Sequence, residues 1–462
     1  MLSGNSEDSP KARRWWTVGI WAVVTVLTLI LAIQARNRQI HDLATARPLD
    51  INDFNRWLRM LPGFLHSHLA MRNDLWPMPP LTILLFSPFS LLSFPNAQFV
   101  WVLFKPLLLA VIFYCSLGIV RRAGGRVESL PLLLILLAWL WPVIGDMQEG
   151  QVNLLMLAPL AAGLYFAQSE TAWGDLLAGG LIALATCIKV TPIIFLIYLL
   201  WRRRWRAAAA LAIGVVFWLY LPLSLFVGWR QSFLWNQQYF HIMILPYVVH
   251  GAVQVPTGES IPSFLLRLLS RIPAFHTHHH GVTISYYVNV LNLSVPTSRL
   301  IIRLVLVGIG LGGLFWMRRR LPTLRCRRYV LEIGAIAAFM LWAEEWCWVP
   351  HYVTLIFALM AAAMIATDQF SPRAAARRAL AALAAAAFLM AMTSDVIKIF
   401  GSHAGNWGRT IDPALFAGIL LVLAIMTTGY SQAAAIAPGQ SVPQPLPQVA
   451  PPGQKVQSPA RS

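Results

Sequence analysis

The stretch LDINDFNRWLRMLPGF, residues 49–64, places two carboxylates, Asp50 and Asp53, three residues apart just after the first long apolar run of the chain. A carboxylate in such a setting has two ordinary uses. It caps a helix that starts near Asn52 by accepting a backbone N–H, or it takes a proton as a general base. Further polar groups punctuate the apolar sequence: Asp146, Glu149, Gln151 and Asn153 in GDMQEGQVN, Lys189 in IKVTP, and Glu344, Glu345 and His351 in EEWCWVPHY. Ionisable groups at membrane depth are costly and so read as functional, lining a wet cavity; in the headgroup region the same groups are cheap and carry no such message.

The elements that must position these groups are membrane helices. Of 462 residues, 58% are hydrophobic and 12% charged, and the mean hydropathy is +0.62, which excludes an ordinary soluble globular protein and points to an all-α polytopic membrane protein. A net charge of +18 would suit nucleic acid, but the basic residues lie in short clusters between apolar runs, as cytoplasmic loops do. No nucleic-acid partner is therefore assigned; the partner is the lipid bilayer. Cys115, Cys187, Cys326 and Cys347 are far apart and lack metal-ligand spacing.

A helix needs about 20 apolar residues to cross the hydrocarbon. Runs that meet or approach this length lie at 16–34, 97–120, 129–146, 152–168, 175–188, 190–201, 207–228, 298–317, 329–347, 352–368, 379–396 and 412–430, giving about 12 transmembrane helices. With these spans the clusters Lys11/Arg13/Arg14, Arg121/Arg122/Arg126, Arg202–Arg206, Arg318–Arg328 and Arg373/Arg377/Arg378 all fall on one side, and both termini are cytoplasmic. Two readings keep that sidedness. Residues 79–94, interrupted by Pro88, form a re-entrant or juxtamembrane element, and residues 175–201 split at Lys189-Val190-Thr191-Pro192 into a short hairpin. The domains that follow are a cytoplasmic N-terminus at 1–15, a transmembrane domain at 16–430 with large outer loops at 35–96 and 229–297, and a Pro/Gln-rich disordered cytoplasmic tail at 431–462.

The segments NDFNRWL, WPMPPLTILLFSPFSLL, GQVNLLMLAPLAAGLYFA, GLIALATCIKVTPIIFLIYLLWRRRWRA and WCWVPHYV resemble, in that order, glycosyltransferase family 87 of the C-type superfamily, over residues 16–430. The pattern departs from the family at Met78, where an aromatic residue is usual, at Glu259-Ser260, and at His351-Tyr352, where two histidines are usual. The resemblance implies a GT-C-like fold and a polyprenyl-phosphate sugar as donor substrate, with no metal and no cofactor. It implies transfer of a single hexose, with mannose the candidate, to a lipid-linked or envelope acceptor at the outer face. It also places the general base at Asp53, with Asp50 as runner-up.

A phosphate leaving group needs charge stabilisation more than a general acid, and direct attack inverts the anomeric centre. Lys189, His351 and Arg267 are the candidates for the phosphate, and Gln151, Asn153, Glu345 and Trp348 for the sugar or acceptor. The cluster HTHHH, residues 276–280, lacks acidic or cysteine partners at regular spacing, and no metal is assigned to it. The alternative is a non-enzymatic transporter or lipid flippase, which would use Lys189 or Glu332 at broken helices; a scaffold binding polyprenyl lipids is a third reading.

Overall fold

A computed structural model describes residues 52–67, 76–246, 256–279, 282–393 and 401–428, together with part of 26–40 and residue 397. Asp50, most of the first predicted span, His280, and the terminal segments 1–15 and 431–462 lie outside the described residues.

In the first loop, α1 (Asp53–Ser67) is followed by α2 (Leu81–Phe86) and a 3-10 turn (Ser87–Leu91). The bundle then runs through α3 (Phe94–Arg122), α4 (Ser129–Gln148), α5 (Asn153–Ala167), α6 (Ala172–Ile188), a 3-10 turn (Thr191–Ile193), α7 (Ile194–Trp201) and α8 (Trp205–Val227). The second large loop holds α9 (Trp229–Tyr239), α10 (Ile261–Leu269) and the hairpin β1 (Phe275–His279) and β2 (Val282–Tyr286). After it come α11 (Val295–Trp316), α12 (Arg327–Ala343), a 3-10 turn (Val349–Leu355), α13 (Ile356–Thr367), α14 (Arg373–Met392), α15 (Ser402–Ile411) and α16 (Pro413–Met426).

Among the described residues, six helical segments are long and apolar enough to cross a membrane, at 94–122, 129–148, 205–227, 295–316, 349–367 and 373–392. Apolar helices at 153–167, 172–188, 191–201 and 413–426 are shorter. The chain is thus a mostly helical multi-pass membrane protein. Within residues 79–94, α2 and the 3-10 turn form a further short apolar helix that ends at Leu91. The expectation of an all-α chain is corrected by the antiparallel β1–β2 ladder, in which Phe275 pairs with Tyr286 and His279 with Val282. The histidine-rich run is followed by β-branched Val282, Thr283 and Ile284, which suit a pleated surface, and the Phe275 and Tyr286 rings stack at 4.7 Å. His276 Nδ1 lies 3.0 Å from Ser285 Oγ.

Bonds between the connecting segments fix how the helices alternate. At one end Gln168 donates to the carbonyls of Ile119 (3.2 Å) and Leu324 (3.0 Å), Arg325 donates to Gln168 O (2.8 Å), Thr367 to Arg126 O (2.7 Å), and Arg378 to Thr427 O (2.8 Å). Arg204 pairs with Asp175 (2.5 Å), and Arg202 donates to Arg319 O (2.7 Å) and pairs with Glu332. Four of the five basic clusters therefore gather at this end, the fifth lying outside the described residues. The helix break also falls where Pro192 requires: α6 ends at Ile188, Lys189 is extended (φ −149°, ψ 128°), and the chain returns through α7 to place Arg204 beside the start of α6. Next to it α8 lies so close to α6 that a Cβ on Gly179 would sit 2.4 Å from Ala207 O.

Candidate active site

At the opposite end of the bundle, α1 is amphipathic, with Phe54, Trp57, Leu58, Leu61 and Phe64 buried along one face. Each such side chain gains about 1.5–3 kcal/mol by leaving water. Phe54 stacks on Trp101 at 5.2 Å with the rings 3° from parallel, and Phe86 and Phe89 meet its edge at 5.6 and 5.4 Å. The helix start docks on the tip that joins α4 to α5. Asp53 N donates to Glu149 O (3.1 Å), Asn52 Nδ2 to Gln148 O (3.1 Å), and Trp101 Nε1 to Gly150 O (3.1 Å).

Gly150 makes this contact possible. Its φ is +66°, and a Cβ there would lie 2.5 Å from Phe54 Cβ, so both the backbone and the close approach call for glycine.

The cap of α1 is Asn52, whose Oδ1 accepts the N–H of Asn55 at 3.0 Å. The carboxylate of Asp53 is thereby released from capping. One oxygen pairs with Arg56 Nη2 at 2.5 Å and the other accepts from Gln151 Nε2; its side chain is 26% exposed, open to an incoming hydroxyl.

Gln151 starts a two-residue step, at most about 7 Å of chain, to Asn153, whose Oδ1 accepts from Lys189 Nζ at 3.0 Å. The same ammonium pairs with Glu344 Oε1 at 2.7 Å, and His351 Nε2 stands 3.5 Å from that oxygen. His351 Nδ1 lies 3.1 Å from both the backbone nitrogen and the carbonyl oxygen of Trp348, which fixes the ring with Nε2 facing Glu344. Trp348 in turn meets Trp346 edge-on at 6.0 Å. Trp139 Nε1 donates to Val353 O at 2.7 Å, fixing α4 to the turn that carries His351.

Six of the sequence-assigned residues, Asp53, Gln151, Asn153, Lys189, His351 and Trp348, therefore lie along one connected polar seam. Glu345 is adjacent, buried, with its carbonyl 3.5 Å from Ser263 Oγ and 3.0 Å from where a Cβ on Gly258 would be. Glu259 N donates to Cys347 O (2.6 Å), and Tyr352 Oη to Glu259 O (2.5 Å), so the 256–263 segment closes over the same turn. Arg267 is placed differently from the expectation that it faces a phosphate: it is 1% exposed, donates to Pro256 O and Gly258 O (2.9 Å), and pairs with Asp412. Its charge is committed to holding the 256–258 segment against the start of α16.

One residue of the site escaped the sequence reading. Lys105, inside α3, is fully buried and spends its ammonium on three acceptors: Asp146 Oδ1 (2.5 Å), Asp146 O (2.6 Å) and Gln151 O (2.9 Å). It clamps both ends of the tip on which Asp53 docks. A lone lysine within an apolar run was the available signal, because such a charge requires a partner. Four cations at this end face carboxylates: Arg56 with Asp53, Lys105 with Asp146, Lys189 with Glu344 and Arg267 with Asp412.

Residues 76–342 match the model of Glycosyltransferase family 87. The chain is 30% identical over 204 residues to a polyprenol-phosphate-mannose-dependent alpha-(1-2)-phosphatidylinositol mannoside mannosyltransferase of Mycobacterium tuberculosis, covering 41% of this chain and 45% of that protein. It is 32% identical over 170 residues to a polyprenol-phosphate-mannose-dependent alpha-(1-2)-phosphatidylinositol pentamannoside mannosyltransferase of Mycolicibacterium smegmatis, covering 33% and 36%. The match thus spans less than half the length of either relative. Among solved structures, ArnT from Cupriavidus metallidurans in the apo state superposes with a TM-score of 0.39 at 15% identity, covering 90% of this chain and 78% of that one. With its family model matched over more than half of its length, the chain belongs to glycosyltransferase family 87.

Proposed function

We propose that the protein is an integral membrane glycosyltransferase that moves one hexose, mannose being the candidate, from a polyprenyl-phosphate donor to a lipid-linked or envelope acceptor. The observation that carries this reading is the Asp53 carboxylate: relieved of capping by Asn52, held by Arg56 and Gln151, and joined through Gln151 and Asn153 to Lys189 and His351. The two relatives named for polyprenol-phosphate-mannose dependence supply the sugar and the donor class.

In the proposed reaction the acceptor hydroxyl gives its proton to Asp53 as its oxygen attacks the anomeric carbon. The bond from that carbon to the phosphate oxygen breaks, its electron pair leaves with the polyprenyl phosphate, and the centre inverts. Lys189 and the Nε2 side of the His351 ring face the charge that develops on the leaving oxygen. Glu344 holds Lys189 in place before the donor arrives and shares it afterwards. Gln151, Asn153, Glu345 and Trp348 border the space for sugar and acceptor. No cofactor enters this reaction.

The gathering of basic clusters at the far end supports a cytoplasmic assignment for that end, which puts the site and both large loops on the outer face and both termini in the cytoplasm. In this reading the shorter helices cross the membrane as well, giving about 12 spans. Alternating access would need Glu332 free to change partners, whereas it is fully buried between Arg202, Arg328 and Tyr198.

Asp53→Asn tests the assignment. Turnover of polyprenyl-phosphate mannose in proteoliposomes should fall by about 10²- to 10⁴-fold, the usual worth of a positioned base, while donor binding is retained. Turnover at the parent rate would overturn it.

A further inference from the structure

The basic end of the bundle contains a cavity of about 250 Å³ where three connecting segments meet, 168–171, 201–204 and 317–324. It is lined by Glu170, Trp201, Arg202, Arg203, Arg204 and Arg320, among others. Two of the four arginines are structural. Arg202 is held by Glu332 and by Arg319 O, and Arg204 by Asp175 at 2.5 Å with Glu170 at 3.7 Å. Glu170 is itself saturated, accepting from Thr323 Oγ1 at 2.8 Å and Leu324 N at 2.7 Å. Arg203 and Arg320 are exposed, and no acceptor within the described residues takes their guanidinium groups.

The remaining charge of the cavity is therefore two free guanidinium groups on a braced frame. A topology signal requires arginines on one side; it does not require a concave site with fixed walls. Arg203 also takes φ +56°, a left-handed conformation in which glycine is the usual residue. A side chain is retained there against a backbone cost.

The surroundings favour a lipid over a free anion. Trp173 and Trp205, on the first turns of α6 and α8, are 77% and 62% exposed, as interfacial anchors are. Trp201 Nε1 donates to Met317 O at 3.1 Å, joining the ends of α7 and α11, and these helices leave Ile197, Leu311 and Phe315 exposed, an apolar surface for acyl chains. We infer that this cavity binds the phosphate of an anionic phospholipid headgroup, through bidentate hydrogen bonds from Arg203 and Arg320. The site lies at the opposite end of the bundle from Asp53 and is separate from the transfer reaction.

The test is native mass spectrometry of the full chain released from mixed phosphatidylcholine and phosphatidylglycerol vesicles, counting retained phosphatidylglycerol. R203Q/R320Q should weaken retention by about 25-fold, the product of two surface arginines each worth about fivefold. R373Q/R377Q removes the same charge from exposed positions at the same end and should leave retention unchanged. Undiminished retention in R203Q/R320Q, an equal loss in R373Q/R377Q, or displacement of the lipid by an equal concentration of inorganic phosphate would each overturn the inference.

Discussion

Replacing Lys105 with Met keeps the buried stem and removes the ammonium that three acceptors share. Asp146, fully buried, is left without its counter-charge, and breaking such a pair from one side costs about 3–5 kcal/mol. The carbonyl of Gln151 loses its donor too, at about 1–3 kcal/mol if nothing replaces it. K105M should therefore fold in poor yield. Adding Asp146→Asn removes the stranded charge, so K105M/D146N should recover most of the thermal stability. The Gln151 carbonyl stays unheld in that double variant, and the side chain of Gln151 is what reaches Asp53. A displacement of about 1 Å at the proposed base, Asp53, costs on the order of 10²-fold in rate. Thermal unfolding in detergent and the proposed mannosyl transfer, measured on the same preparations, separate the two effects: a near-parent Tm, a kcat lower by about 10²-fold, and a little-changed KM for the donor. A double variant turning over at the parent rate would refute the link from Lys105 to Asp53. Equal loss of stability in single and double variants would refute the charge argument.

Gly150→Ala should destabilise the dock of α1, since a Cβ at φ +66° would also strike Phe54; the expected cost is about 1–3 kcal/mol by the overpacking rule, read as a lower Tm with reduced transfer. Arg267→Met should reduce folded yield, because Asp412 loses its buried partner at about 3–5 kcal/mol, and the fraction that folds should bind donor as the parent does. A folded R267M protein with donor affinity lost would instead give Arg267 a place on the phosphate.

The organisation of the helices was legible because it is written in local terms. Apolar length, arginine clusters and the proline after Lys189 are each properties of a few neighbouring residues, and they placed the break before α7 and the gathering of charge at one end. The candidate site was legible where polar groups interrupt apolar runs, since Gln151, Asn153, Lys189 and His351 come together in one seam. Lys105 was not, because a window average over α3 hides one charge among so many apolar neighbours. Arg267 could not be read either: its partner Asp412 is 145 residues away, and nothing local distinguishes an arginine that will be buried from one that faces a headgroup. The choice of Asn52 over Asp53 as cap rests on a one-residue shift in where α1 begins, finer than sequence pattern resolves.

The two sides of the site are held very unequally. The segment 349–367, which carries His351, is almost wholly buried, Pro350–Ile365 throughout, so it can open only when much of the protein opens. α1 is docked through a single face, with Arg59, Pro62 and His66 exposed on the other. Such an element belongs to the low-stability end of a fold, where local opening needs less free energy than global unfolding. Amide hydrogens of α1 should therefore exchange well before those of α13, and on the proposed reading Asp53 can swing aside with α1 to admit an acceptor while Lys189 and His351 stay fixed.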